Sequence, residues 1–418
     1  MSIYVDSEIN QLQSVIVHNP DMGISRISPK RSDDLLFDDI VHLPVMKEEY
    51  HTFQQVLKSF VPEKEVLEIE DLIEETIKSQ PELTEELIDK VIQHEILPFS
   101  YREKLLALRP SALKNLLITG YDAQHDHIYF DPIPNFIFTR DIATVIKDHV
   151  ILTKAAKKAR YRENMLTHFV FNGHERFTDM ADKLINLNNI NKFPPSKKGE
   201  IVSIEGGDLM MLSEDYFLIG CSERTTTHAF HSIKEKLFEK GLTKNVVQVK
   251  IPTDRSYMHI DTLFTRLDTD AIICFKPIVY DGMSSTIEVH RSEGKTGYYP
   301  SIKDFVLEEI NPKMKFIFSG NGESPYQERE QWTDGCNLVA VKPGVAIAYD
   351  RNLKTEVALK ENGYNIIQAK KLIMQNDIDE TFAQKLEKTI ITIPSGELSR
   401  ARGGSHCMTC PINRLKTI

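Results

Sequence analysis

Asn135-Phe136-Ile137-Phe138-Thr139-Arg140-Asp141-Ile142-Ala143-Thr144-Val145-Ile146-Lys147-Asp148-His149-Val150-Ile151-Leu152-Thr153-Lys154 reads as two β-strands, from Phe136 to Lys154, joined at a polar Lys147-Asp148 turn. The same pattern returns further along the chain. Ile201–Gly220 turns at Ser213-Glu214-Asp215, His259–Phe275 at Asp268-Thr269-Asp270, and Asn337–Asp350 at Lys342-Pro343-Gly344. Each turn has the polar or Pro/Gly chemistry that hairpins use. Helical segments follow the hairpins, roughly over 159–170, 227–240, 300–309 and 352–362. Strands at Val246–Ile251, Lys315–Ser319 and Asn365–Ala369 then close most units.

Upstream, 14–18 reads as a strand stopped by Asn19-Pro20, His42–Leu57 has helical apolar spacing, and Val66–Ile69 reads as a strand. The N-terminal strand and Thr389–Pro394 are expected to complete a fifth unit between the chain ends. Repeats of this period mean arrays or closed rings, and closure removes unpaired sheet edges. The expectation is a ring of about five mixed α/β modules. Between about Asp71 and Leu117 the texture changes. Leu83, Leu87, Ile88, Val91 and Ile92 share a helical face, and Pro81, Pro98 and Pro110 punctuate the stretch. This predicts a small helical bundle inserted at 71–121, with 1–70 and 122–418 forming the main domain. The alternative is a set of ordinary surface helices of one domain.

The 418 residues are 41% hydrophobic and 27% charged, ordinary for a globular chain. The net charge of -10 and the absence of a Lys/Arg run argue against nucleic acid or an anionic membrane as partner. No basic and apolar leader opens the sequence, and no apolar run approaches the ~20 residues of a membrane helix. Five cysteines fit reduced thiols in a cytoplasm better than a disulfide scaffold.

Chemistry-bearing residues fall at matching places in the repeats. Asp141, then Glu205 and Asp208, then His259 and Asp261 open successive hairpins, and Cys407 follows the last closing strand. Matching positions in ring modules point toward one axis. His259 and Asp261, two apart, are expected on one face of a strand. Asp141 and Asp261 suit a guanidinium, each able to accept a bidentate pair. Glu205 could orient His259 as a general acid/base. Arg160, Arg224 and Arg402 are spare cations suited to a substrate carboxylate.

Gly396-Glu397-Leu398-Ser399-Arg400-Ala401-Arg402-Gly403-Gly404-Ser405-His406-Cys407-Met408-Thr409-Cys410-Pro411 places a thiol beside a histidine, two glycines and nearby arginines, cations that would lower a thiol's pKa. Pro411 is expected to stop whatever begins at Cys407. Cys407 and Cys410 alone would also fit a redox pair or half a zinc site, but no second CxxC or CxxH accompanies them.

This block, with Leu35-Leu36-Phe37-Asp38-Asp39, Asn135 to Asp141, Glu205-Gly206-Gly207-Asp208, Glu223-Arg224-Thr225, His259-Ile260-Asp261-Thr262, Gln331-Trp332-Thr333-Asp334-Gly335 and Ala348-Tyr349-Asp350-Arg351-Asn352, resembles the arginine deiminases of the guanidino-group-modifying superfamily, nearly end to end. The resemblance implies a five-bladed pseudo-symmetric α/β propeller of ββαβ-type modules with a helical insertion. It implies no metal and no cofactor, and hydrolysis of L-arginine to L-citrulline and ammonia through a thiouronium-type adduct on Cys407. By the same resemblance His259 with Glu205 handles protons, and Asp141 and Asp261 clamp the guanidinium. Asn135, Arg160, Arg224 and Arg402 bind the amino-acid end, Phe138 packs along it, and Asp208 and His406 support. A homo-oligomer, dimer or tetramer, is expected. Sibling reactions on such a scaffold are a second hydrolysis to ornithine and amidinotransfer. Two positions depart from the pattern: Ala401 stands where a glycine commonly separates the arginines, and Glu356 where an asparagine is usual.

Overall fold

The computed structural model describes residues 3–37 and 39–416, so the Asp38 of the Leu35–Asp39 motif lies outside the described residues. Its strands form five mixed sheets and one two-stranded ribbon, Tyr121–Asp122 with His127–Ile128. In the first sheet Ala143–Ile146 pairs antiparallel with His149–Leu152, which pairs parallel with Leu184–Asn186. The helix Tyr161–Gly173 lies between the parallel strands in sequence, as a parallel crossover requires.

The next units repeat this order. Leu209–Ser213 and Tyr216–Cys221 form a hairpin, the helix Thr227–Glu239 follows, and Asn245–Lys250 adds in parallel. Phe264–Asp268, Ala271–Cys274 and Lys315–Phe318 do the same. Two strands absent from the sequence reading, Thr286–Arg291 and Thr296–Tyr299, extend the second sheet. Thr286–Arg291 buries only Ile287 and Val289 and Thr296–Tyr299 buries none of its residues, so neither presents a long apolar run.

The fifth unit differs from expectation. Thr389–Ile393 does not join the N-terminal strand. It lies between Val345–Tyr349 and Asn365–Gln368, parallel to both. All five of its residues are buried, which suits a strand flanked on both sides. The N-terminal strand Leu12–Val17 pairs instead with Cys410–Arg414, antiparallel, and with Val66–Glu68, parallel, after the helix Leu43–Phe60. Pro411 therefore does not stop a segment; it sits inside the last strand opposite Val15. The register of that pairing shifts on either side of Ser14, the kind of irregularity at which a strand tolerates proline.

Neighbouring sheets are stitched to one another. Lys154 and Ile204 exchange backbone hydrogen bonds between the first and second units, at 3.1 and 2.9 Å. Asp208 accepts from the Ile260 N–H at 2.9 Å, Thr265 donates to the Cys336 carbonyl at 2.8 Å, and Arg414 donates to the Ala340 carbonyl at 2.8 Å. Arg140 N–H donates to the Cys407 carbonyl at 3.0 Å.

The 69–119 region holds four helices, Ile69–Ser79, Pro81–His94, Tyr101–Leu106 and Pro110–Thr119, two of them with proline in the first turn. Their buried Leu72, Leu87, Ile88, Val91, Leu113 and Leu116 belong to the same apolar cluster as Val145, Val150 and Leu152 of the first sheet and Phe169 and Val170 of its helix. No helix among the described residues is long and apolar enough to cross a membrane.

Candidate active site

Three short 3-10 turns carry the acids into place: Thr139–Asp141, Gly206–Asp208 and Ile260–Thr262. Each directly precedes a hairpin strand, so Asp141, Asp208 and Asp261 lie ahead of the strands and not in them. His259 caps the third turn in extended geometry, and its pairing with Asp261 on one strand face does not occur. Gly207 is where the turns close up: a Cβ there would stand 2.6 Å from His259 Nδ1. Gly206 packs against the Arg140 carbonyl in the same way, so side chains on this pair would force the turns apart.

These turns, with the loop before the last strand, line one narrow pocket. Asn135, Phe138, Asp141, Arg160, Arg224, His259, Arg402 and Cys407 all face it, as do Leu36, Gln331, Asp334 and Ala401. Glu205, Asp208, Asp261 and His406 stand behind this lining, all buried. Every residue predicted from sequence is thus in or next to the same pocket.

Cys407 Sγ donates to Asp261 Oδ2 at 3.4 Å, and Asp261 Oδ1 is buried without a hydrogen-bond partner among the described residues. Asn337, missed in the sequence reading, ties the two together: its Oδ1 accepts from the Cys407 N–H at 3.0 Å and its Nδ2 donates to the Asp261 carbonyl at 3.1 Å. His406 Nδ1 lies 2.9 Å from Asp261 Oδ2. Behind it, Glu8 Oε2 holds both His406 Nε2 at 3.2 Å and Arg140 Nη2 at 2.5 Å. Glu8 lies almost four hundred residues from His406 in sequence, and no local signal could have found it.

His259 Nε2 lies 2.9 Å from Glu205 Oε2, while its Nδ1 faces Asp141 Oδ1 at 3.7 Å. Arg160, and not Arg162, is the arginine at the site; Arg162 instead bonds the Leu117 carbonyl at 2.7 Å. Nor is Arg160 a spare cation. Its Nη1 donates to Asp141 Oδ2 at 2.7 Å and to Glu205 Oε2 at 3.0 Å, and its Nε donates to Glu163 at 3.0 Å. Glu163 sits three residues on from Arg160, a spacing that could have flagged it. Asp141 Oδ1 accepts from the Gly207 N–H at 3.0 Å. Asp141, Glu205 and His259 could gather about a cation, since their ligand atoms lie within 4.8 Å of one another, but the Arg160 guanidinium already meets this set.

At the outer end Asn135 donates to the Leu35 carbonyl at 2.7 Å, and Arg224 lies 3.8 Å from Glu205. Arg402 has a left-handed backbone (φ 64°) and its guanidinium lies 3.2 Å from the centre of the Trp332 ring, a cation–π contact. A Cβ at Gly403 would run into the Phe138 ring, so this glycine permits the close approach of the loop to the aromatic wall.

The charges decide the protonation states. Burial and then Asp261, Asp141 and Asp334 push the Cys407 thiol well above its ordinary value. This corrects the expectation that nearby Arg and His would acidify it: burial and three carboxylates dominate its surroundings. Burial works to lower the pKa of His259, but Asp141, Glu205 and Asp208 outweigh it and raise the imidazole to about 10. Burial opposes ionisation of Glu205, yet Arg160 and His259 bring it below the usual carboxylate range. Asp261 is also lowered, burial being outweighed by the His406 hydrogen bond and charge. Asp334, buried in the pocket, is raised to about 7 by desolvation despite Arg402.

The arginine deiminase family model matches residues 33–120 and 110–414. The chain belongs to the arginine deiminase family. It is 31% identical over 442 residues to the arginine deiminase of Bacillus cytotoxicus, covering 99% of this chain and 98% of that one. To the arginine deiminase of Limosilactobacillus reuteri it is 29% identical over 438 residues, with the same coverage. Among solved structures it resembles an amidinotransferase of the saxitoxin biosynthetic pathway from Microseira wollei (TM-score 0.57, 13% identity, 99% and 98% of the two chains). It also resembles the DDAH of Pseudomonas aeruginosa complexed with citrulline (TM-score 0.51, 14% identity, 96% and 99%). These two likenesses are of fold alone, a mixed α/β architecture.

Proposed function

We propose that the protein hydrolyses the guanidinium of L-arginine to L-citrulline and ammonia, with Cys407 as nucleophile. The observation that carries this reading is the thiol held against Asp261, whose free Oδ1 can accept a guanidinium N–H, with the His259–Glu205 pair in the same pocket. Family membership supports the substrate.

The substrate guanidinium lies between Asp141 and Asp261, with its amino-acid end toward Asn135, Arg224 and Arg402 and its methylenes along Phe138. Arg160 exchanges partners, leaving Asp141 to the incoming guanidinium and turning to the substrate carboxylate. The substrate's positive charge offsets the acids that hold the thiol neutral, so the Cys407 proton departs to solvent as the substrate binds. The thiolate then attacks the guanidinium carbon, forming the C–S bond. Protonated His259, charged in the free protein, gives a proton to one terminal nitrogen, and the C–N bond breaks to release ammonia. Neutral His259 next takes a proton from water. The resulting hydroxide adds to the thiouronium carbon, the C–S bond breaks, the remaining hydroxyl proton passes to the Cys407 sulfur, and citrulline leaves. Asp208, which accepts from the Ile260 N–H and from Ser222, and His406, which bonds Asp261, support the groups in contact with substrate.

The five sheets are read as blades of a closed five-bladed propeller, supported by the bonds linking each unit to its neighbour. Residues 71–121 are read as a helical insertion on it. Five free, buried cysteines support a reducing cytoplasmic setting. Incubation with L-arginine, with citrulline, ornithine and ammonia quantified, tests the function. Citrulline and ammonia in equal amounts are expected; ornithine with twice as much ammonia would assign the sibling dihydrolase reaction.

A further inference from the structure

Away from the catalytic pocket, a second cavity of about 410 Å³ lies between the helix Pro81–His94 of the bundle and the helix Tyr161–Gly173 of the first unit. Leu83 and Leu87 form one wall, Met165 and Phe169 the other. The volume is that of a small-molecule site, and such sites pair apolar walls with a few placed polar groups.

The polar lining consists of Glu86, Lys90 and Lys154 together with Tyr161, His168 and five asparagines. Lys154, half-buried, reaches the cavity, and its ammonium has no carboxylate partner among the described residues; burial alone acts on it, lowering its pKa. Asn164 also lines the space, and its Oδ1 is taken by the Ala155 N–H at 2.9 Å, which leaves its NH₂ as the donor to a ligand. At the mouth Lys90 and Glu86 neutralise each other at 3.6 Å. His168 is held below its ordinary pKa by burial and Lys90. One uncompensated cation and an amide donor therefore share the cavity with its apolar walls. Leaving a half-buried ammonium unpaired is costly, and an anionic ligand group removes that cost.

We propose that this cavity binds a small monocarboxylate carrying an unbranched apolar tail, the carboxylate on Lys154 and Asn164 and the tail between Leu87 and Phe169. The site backs onto the catalytic machinery without entering it. Lys154 exchanges backbone bonds with Ile204, and two residues on, the Ala156 N–H donates to Glu205 Oε1 at 3.2 Å.

Titration calorimetry of the full-length protein with sodium hexanoate, hexan-1-ol and inorganic phosphate tests the proposal independently of the arginine reaction. Saturable one-to-one binding of hexanoate is expected, with hexan-1-ol and phosphate each at least about tenfold weaker, the loss of one charge-assisted contact or of the tail's burial. Lys154→Met is expected to weaken hexanoate by a similar factor, and Leu87→Trp, which fills the slot from the opposite wall, to abolish it. Circular dichroism and citrulline formation check that both variants are folded. Hexanoate affinity unchanged by Lys154→Met, or matched by hexan-1-ol or by phosphate, overturns the proposal.

Discussion

The acids around Cys407 have two consequences at the level of single residues. Removing one partner from a buried charge pair costs about 3–5 kcal/mol, which on a transition state is about 10²- to 10⁴-fold in rate. We therefore expect Asp141→Asn to lose at least about a hundredfold in kcat/KM while its circular dichroism is unchanged; near-normal turnover would remove Asp141 from the guanidinium clamp. The second consequence concerns pH. With its pKa raised well above the ordinary thiol value by burial and the facing acids, the Cys407 thiol is neutral at pH 7, and its thiolate fraction rises about tenfold per pH unit. Alkylation of Cys407 by neutral iodoacetamide, mapped by peptide mass, should follow that slope from pH 7 to 9, while cationic chloroacetamidine, which supplies the missing positive charge, should react much faster at pH 7. A pH-independent iodoacetamide rate would mean a thiolate already present. The sequence showed which residues gather here but not their electrostatics. Arg402 and His406 flank Cys407 in the chain, whereas Asp141, Asp261 and Asp334 face it from other units, and only folding sets one against the other.

At the level of elements, the hairpin-and-helix repeat was legible because period-2 alternation and turn residues are local signals. The placement of the acids was not. A three-residue 3-10 turn has no periodicity of its own, so Thr139–Asp141 and Ile260–Thr262 read as strand beginnings. The partner of the N-terminal strand was also hidden, because Leu12–Val17 with Cys410–Arg414 joins opposite ends of the chain. The turns themselves are testable. Phe138, Glu205 and His259 occupy the same capping position in three successive turns, and the Gly206-Gly207 pair lets the second turn press against His259. Gly207→Ala places a methyl 2.6 Å from the imidazole. A displacement of about 1 Å in a catalytic group can cost about 10²-fold, so we expect kcat to fall by that order with KM little changed. An unaffected kcat would show that His259 does not depend on this contact.

Across the whole molecule, Glu8 ties the N-terminal segment to the site through Arg140 and His406. Burial opposes its ionisation, but Arg140 and His406 hold it well below the usual carboxylate range. A carboxylate depressed in the folded state stabilises above its unfolded pKa of about 4, and that contribution is lost as pH falls below it. The urea midpoint should therefore drop as pH is lowered from 5 to 3, and Glu8→Gln should flatten that drop while costing about 3 kcal/mol at pH 7, the low end for breaking a buried pair. An equally steep acid profile in the variant would place the sensitivity elsewhere.

The proposed function has the fold hold one sulfur opposite an arginine headgroup, and trapping the adduct tests that most directly. The protein is quenched in acid during turnover of L-arginine and digested, and the peptide containing Cys407 and Cys410 is sequenced by mass spectrometry. We predict the mass of arginine less ammonia on Cys407 alone, with Cys407→Ala inactive and Cys410→Ala active. Citrulline formed by Cys407→Ala, or the adduct on Cys410, would contradict it.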